Sequence, residues 1–334
     1  MPPGMVSALH SSAPTAEAPR RPVIGAIFNP RSHRNSGRVS AMEGQPQVHI
    51  AQPEKRGAIA PVLADFRAKG VELLAISGGD GTVRDVLTRG YGVYGEDWPL
   101  LAVIPRGKTN ALAIDLGVPA GWTLAEAADA AGAGRRVVRQ PLLVRSLDDP
   151  GRPPVLAFLL GAGAFTTGTR AGQDAHRLGA FDSLAVAGTV GWGLAQAFFG
   201  TARNPWRRGT RMTITLPDGG ELPHSGRGDA GRRALVLAST MRRFPAGLRP
   251  FAGAQGSGPV QLAVMDVLRR RLLLALPAVM FGQNAPWMPR AGMRRLAVSG
   301  FEFAIGDAFI LDGEEFPAGR YCVEAGPRLE FVIP

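Results

Sequence analysis

The pattern of apolar and polar positions divides the chain near residue 140 into two halves of different texture. In the first half, short apolar runs alternate with segments of helical period. Val23–Phe28 is an apolar run closed by the turn Asn29-Pro30, and Gln47–Ala51 reads as a second strand. Ala58–Ala68 carries Ile59, Val62, Leu63 and Phe66 at helical spacing. Val71–Ile76 is a third strand that runs at once into glycines, after which Thr82–Thr88 begins a helix with Val83, Val86 and Leu87 on one face. Leu100–Ile104 is a fourth strand, leading through Pro105-Arg106-Gly107 into a helix from about Asn110 to Leu116. Such alternation predicts a doubly wound parallel α/β sheet with its ligand crevice at the carboxyl ends of the strands.

Beyond Arg136 the runs become short and β-like, separated by Gly/Pro turns: Val155–Leu160, Met212–Leu216, Ala234–Ser239, Val260–Val264, Arg295–Ser299, Glu302–Ile305, Phe309–Leu311 and Leu329–Ile333. Antiparallel strands in a sandwich or open barrel fit this texture. One mainly helical insertion is expected at about 177–200. The expected organisation is a disordered leader at 1–20, an α/β domain at 21–140 and a β-rich domain at 141–325. The final strand, 326–334, has the option of returning to the first domain.

Composition narrows the picture. A chain of 334 residues exceeds one ordinary core, and its 45% apolar and 19% charged residues are an ordinary globular balance. The single cysteine, Cys322, excludes an internal disulfide framework and a cysteine zinc site, and suits a reducing cytoplasm. The net charge of +11 is carried largely by arginine runs such as Arg135-Arg136, Arg207-Arg208, Arg242-Arg243 and Arg269-Arg270-Arg271. This field attracts nucleotides or an acidic lipid surface. Nucleic acid is not the expected partner, because the runs are scattered and no nucleic-acid motif accompanies them. Residues 1–20 lack the apolar central run of a secretory signal. Ser183–Gly200 is uncharged but short and weakly hydrophobic, so it reads as a buried helix, with a helix dipping into one leaflet as the alternative. The run near Leu272–Phe281 follows three arginines and contains Pro277, a poor span. The five histidines show no metal spacing, and Gly163-Ala164-Phe165 lacks the nucleophile of a hydrolase elbow.

The most informative stretch is the loop Ser77-Gly78-Gly79-Asp80-Gly81-Thr82 between a buried strand and a helix. Glycines let backbone N–H groups approach phosphate oxygens, and the helix N-terminus adds partial positive charge. Thr82 can cap the helix or bond a phosphate. An anion, Asp80, at such a site either organises Mg²⁺ or caps the helix. Gly107-Lys108-Thr109 is not a Walker A loop: Ala102 stands where that pattern needs glycine, and Pro105 interrupts it.

These residues, taken with three further segments, resemble the diacylglycerol kinase catalytic family, which includes bacterial lipid kinases, sphingosine kinases and ceramide kinases. The segments are Asn29-Pro30-Arg31-Ser32, the stretch Ile104-Pro105-Arg106-Gly107-Lys108-Thr109-Asn110-Ala111-Leu112-Ala113, and Asp312-Gly313-Glu314 with Phe316-Pro317. Gly161-Ala162-Gly163-Ala164-Phe165 resembles the family's second-domain glycine motif. The resemblance spans residues 22–334. It implies ATP, with Mg²⁺, between the two domains, on Asn29, Pro30, Arg31, Ser32, Gly78, Gly79, Asp80, Gly81, Thr82, Lys108, Thr109 and Asn110. It implies a lipid substrate in the second domain and Asp312, Glu314 and Asp80 as the catalytic carboxylates, with Glu314 as acceptor of the lipid hydroxyl proton. It also implies a cytoplasmic protein held peripherally at the anionic surface of the inner membrane; oligomeric state stays open, a homodimer included.

Some positions depart from the family. Lys108 replaces the usual Thr and either contacts phosphates or faces solvent, and Ala51 stands where a nucleotide-contacting Thr is common. Ser257 occupies the place of an Asp that helps to hold a structural Mg²⁺, so that site is absent or another carboxylate, Asp266, substitutes. Asn110-Ala111-Leu112-Ala113 resembles the sphingosine-kinase side, whereas the intact Gly-Gly-Asp-Gly-Thr resembles the diacylglycerol side. Diacylglycerol and a sphingoid lipid or ceramide therefore compete. A soluble-metabolite kinase of the NAD-kinase type and a non-catalytic lipid-binding relative are the alternative readings.

Overall fold

The four apolar runs of the first half lie side by side in parallel, as strands covered on both faces do. The computed structural model describes residues 22–29, 46–177 and 208–334. Its first sheet contains β1 (Ile24–Phe28), β2 (Val48–Ala51), β3 (Leu73–Gly78) and β4 (Leu100–Pro105), in the order β2-β1-β3-β4. The sheet is completed by β19 (Leu329–Val332), parallel to β4, and by β5 (Arg136–Arg139), antiparallel to β19. Every residue of β3 is buried, which explains its unbroken apolar sequence. Helices α1 (Ile59–Ala68), α2 (Asp80–Tyr94), α3 (Ala111–Leu116) and α4 (Leu124–Gly132) pack on this sheet through Leu63, Phe66, Val83, Leu87, Leu112 and Ala127. α4, which the apolar pattern alone did not reveal, starts at a capping box between Thr123 and Glu126.

The second half forms two sheets. One contains β6 (Leu142–Ser146), β7 (Val155–Ala157), β9 (Thr210–Thr215), β10 (Arg232–Arg233), β15 (Gly300–Ile305) and β18 (Gly319–Ala325), in the order β10-β9-β15-β18-β6-β7. The other contains β8 (Leu159–Gly163), β11 (Leu235–Ser239), β12 (Gln255–Gly256), β13 (Val260–Met265), β14 (Met293–Val298), β16 (Phe309–Leu311) and β17 (Glu314–Phe316). Its order is β12-β14-β13-β11-β8-β16-β17, and apart from the two-residue β12 its strands pair antiparallel. The inner faces share one core, with Phe309 edge-on to Phe303 and to Tyr321 at centroid separations of 5.1 and 4.8 Å. Helix α5 (Ala164–Arg177) follows β8, and α6 (Arg270–Met280) follows β13.

The chain passes between the first sheet and the other two at Gln140-Pro141 and again after Ala325. These crossings are bonded to each other: Gln140 Nε2 donates to the Gly326 carbonyl at 2.9 Å, and the Gly326 N–H to the Pro141 carbonyl at 2.8 Å.

One element differs from expectation in a way that matters. Val155–Leu160 is not one strand but two in different sheets, β7 and β8, broken at Phe158. The Phe158 and Leu159 N–H groups donate to the Asp312 carboxylate, and the Phe158 carbonyl accepts from Ser239 Oγ at 2.7 Å. The apolar run near Leu272–Phe281 is helix α6, and among the described residues no helix is long and apolar enough to cross a membrane. The leader at 1–20, the residues Pro30, Arg31 and Ser32, and the helical insertion from residue 178 onward lie outside the described residues.

Candidate active site

β1, β3 and β4 end at one edge of the first sheet, so Asn29, Gly78 and Pro105 are brought together there. The two loops that follow are closely apposed. The Arg106 N–H donates to the Gly78 carbonyl at 2.9 Å, and a Cβ on Gly107 would lie 2.6 Å from Gly79 Cα. A Cβ on Gly78 would meet the Thr82 side chain at 2.5 Å. Glycine is required at 78 and 107 by these close approaches, since neither residue has a positive φ. Gly107→Ala is therefore expected to push the loops apart and raise the KM for ATP about tenfold or more, at near-wild-type unfolding temperature; ATP titration of the initial rate checks it.

The polar side chains of the loops hold one another. Asn29 Nδ2 donates to Thr82 Oγ1 at 2.8 Å, so Thr82 caps nothing, and Gly79 is the N-cap of α2. Asn110 sits at φ 50°, ψ 48° and closes its loop in both directions: Nδ2 donates to the Gly107 carbonyl and Oδ1 accepts from the Gly107 N–H, each at 2.8 Å. Its side chain shapes the loop. Lys108 and Thr109 are exposed at the tip, and Arg106 folds back to donate to the Pro105 and Trp122 carbonyls.

Asp80 does not cap its own helix with its side chain. Its carboxylate accepts from the Leu112 N–H at 3.2 Å, at the start of α3. Burial raises its pKa, although backbone N–H groups of the α3 start favour the charged form. Asp312 comes from the other half of the chain. Leu311 pairs with Glu314 across the turn Asp312-Gly313, whose φ values of 44° and 83° are both positive, as a type I′ hairpin demands. Oδ1 of Asp312 accepts from Phe158 and Leu159 N–H at 3.1 and 2.8 Å, and Oδ2 from Phe158 N–H at 3.0 Å. Burial, with the nearby Asp80 charge, pushes Asp312 up to about 7. Two carboxylates from the two halves thus lie close enough for the charge of Asp80 to raise Asp312, and burial disfavours each as an anion.

Glu314 has a different environment. Arg56 donates to both of its oxygens, at 2.7 and 2.6 Å, and the buried Arg84 donates to Oε2. Burial pushes Glu314 up, but the two guanidinium groups more than offset this and hold it below the usual carboxylate range. Asp85 joins the cluster, accepting from Arg84 at 2.9 Å and pairing with Arg56 Nε at 2.9 Å. One face of α2 therefore spans the crevice at helical spacing. Asp80 lies within electrostatic reach of Asp312, Arg84 reaches Glu314 and the Leu311 carbonyl, and Thr88 Oγ1 accepts from the Leu156 N–H at 3.1 Å. Arg84 and Arg56 were not foreseen. The place of Arg84 four residues after Asp80 was a usable signal, whereas nothing local links Arg56 to Glu314.

The donor set suits magnesium carried in with a nucleotide. Asp80 offers hard carboxylate oxygens beside the glycine loops, and Mg²⁺ commonly takes one or two carboxylates plus phosphate and water. A separate structural cation is not supported at Asp266. That carboxylate accepts from buried Arg233 at 2.5 Å and from the Ser225 N–H at 2.8 Å, and lies 3.6 Å from Arg294. Among the described residues no group of three or more His, Cys, Asp or Glu side chains is arranged around a metal site.

Comparison with known proteins points to the same region. A family model for the diacylglycerol kinase catalytic domain matches residues 24–139. The probable lipid kinase YegS of Shigella flexneri is 32% identical over 72 residues, 22% of this chain and 24% of that protein. The YegS of Escherichia coli O157:H7 matches equally, so the chain spans about a quarter of the length of the curated relatives it matches. A crystal structure of a diacylglycerol kinase from Bacillus anthracis str. Sterne shares the fold, with a TM-score of 0.61 at 17% identity over 93% of this chain and 96% of that one. The segment that carries both glycine loops and Asp80, residues 24–139, is therefore similar to the diacylglycerol kinase catalytic domain.

Proposed function

We propose that the protein is an ATP-dependent lipid kinase that transfers the γ-phosphoryl group to the hydroxyl of a membrane lipid, either diacylglycerol or a sphingoid lipid such as ceramide or sphingosine. The observation that carries this reading is the convergence of Asp80 and Asp312, from opposite halves of the chain, beside two apposed glycine loops. Phosphoryl transfer to an alcohol is mostly positioning and charge stabilisation, with one carboxylate to receive the hydroxyl proton. The loops and the first turn of α2 supply backbone N–H groups for phosphate oxygens. Magnesium, when bound with the nucleotide, supplies charge neutralisation on the transferring group.

Between the two hairpin carboxylates, Asp312 is the better proton acceptor. A carboxylate offers about four acceptor positions, and three contacts at Asp312 leave room for a substrate O–H. Burial makes Asp312 the stronger base of the two, whereas Glu314 is a weaker base anchored by two arginines. Glu314 then serves as a positioning residue that ties the hairpin to α2.

The test is incubation with labelled ATP and a total lipid extract, with the product identified by mass spectrometry. Label in a phosphorylated lipid is the expected result. Label in NAD in a parallel incubation, with none in lipid, would replace this reading with a soluble-metabolite kinase.

A further inference from the structure

Helix α6 presents a face that the fold itself does not use. Leu272 and Val279 point into the core with Met265, Met288 and Met293, and at about 100° per residue Leu274 and Phe281 fall on the opposite side. Leu274 is 73% exposed and Phe281, the C-cap, 62%, and with Ile114 they are the exposed large hydrophobic residues of the described chain. Exposed Pro277 and Ala278 lie between them, so the face is a continuous apolar stripe. A single exposed leucine asks for no explanation, but a stripe on one helix face does.

The charges around the stripe say what covers it. Exposed Arg269, Arg270 and Arg271 stand at the N-terminal end, and no acidic residue occupies the first turn. Cations are disfavoured there by the helix dipole. Arg271 is held over the Trp287 ring at 4.2 Å. At the other end the Arg249 N–H donates to the Met280 carbonyl at 2.6 Å, which places a further exposed arginine beside Phe281. An apolar stripe bracketed by arginines fits an anionic bilayer, with Leu274 and Phe281 at the acyl boundary and the guanidinium groups among phosphates. A second copy of the chain fits poorly, since a two-fold contact through this face would set basic ends against each other.

We propose that α6 is the element that docks the protein on an anionic lipid surface, through Leu274 and Phe281 and the arginines that flank them. The inference does not depend on which lipid, if any, is phosphorylated. It is tested by sedimentation of the full chain with phosphatidylcholine vesicles containing or lacking phosphatidylglycerol. The wild type is expected to sediment with the anionic vesicles only. Leu274→Ser/Phe281→Ser is expected to weaken that partition about tenfold or more, and Arg269→Gln/Arg270→Gln to do the same. Both double variants should keep the wild-type unfolding temperature, since all four side chains are exposed. Variants that bind as the wild type does, or a wild type that ignores anionic vesicles, would overturn the proposal. So would a dimer in solution that Leu274→Ser/Phe281→Ser dissociates, because the face would then be a self-interface.

Discussion

Asp312→Asn is expected to lower kcat for lipid phosphorylation by about 10²–10⁴-fold while the protein stays folded. The amide keeps the volume of the carboxyl, and its Oδ1 can still accept from the Phe158 and Leu159 N–H groups that break β7 from β8. What it loses is the capacity to take a proton. The stability of the variant gives a second readout. The native pKa of Asp312 is raised from 3.8 to about 7, so the native state holds this proton more tightly than the unfolded chain does. Stability contributed by this group is therefore full below about pH 4 and is lost as pH rises through about 7. In the presence of a chelator, the wild type should lose stability relative to Asp312→Asn between pH 4 and pH 7, and the difference should level off above that range; denaturant unfolding across pH measures it. A loss of fold stability at a group with the proposed chemical role is the pattern expected of a site selected for chemistry.

The second large effect concerns how the two halves are held. Asp115, at the end of α3, is fully buried and accepts from Arg139 Nε at 2.6 Å and from the Arg242 and Arg243 N–H groups at 2.8 and 2.7 Å. It joins the helix that starts beside Asp80 to a strand of the first sheet and to the loop after β11. Asp115→Ala strands a buried guanidinium and two backbone donors, and should destabilise the protein by about 3 to 5 kcal/mol in urea unfolding. Asp115→Leu/Arg139→Met removes both charges together, so its loss should be clearly smaller than the sum of the two single losses. A variant with wild-type stability would show that the pair contributes little.

Much of the architecture was legible because burial writes itself into sequence. β3 is apolar throughout since both its faces are covered, and α1 and α2 carry apolar residues at helical spacing because only one side of each is. The Asp312-Gly313 turn was legible from its chemistry, as both positions need positive φ. The switch at Phe158 was not, since Val155–Leu160 has the composition of a single strand and the break comes from a carboxylate 154 residues away. The same reason hides Arg56 and Asp115, whose partners are set by tertiary contact. Sequence placed Asp80, Asp312 and Glu314 together through resemblance. It took coordinates to separate a carboxyl near neutrality from one anchored by arginine.

If Asp312 receives the proton from a lipid hydroxyl in a crevice shared by both halves, its amide variant must all but stop the reaction. The most direct test is a side-by-side rate measurement, with labelled ATP and lipid extract, on the wild type, Asp312→Asn and Glu314→Gln at equal concentrations of folded protein. Labelled lipid is expected from the wild type, modestly reduced product from Glu314→Gln, and a rate lowered by about 10²–10⁴-fold from Asp312→Asn. Wild-type rates from Asp312→Asn, together with a silent Glu314→Gln, would contradict that role for Asp312.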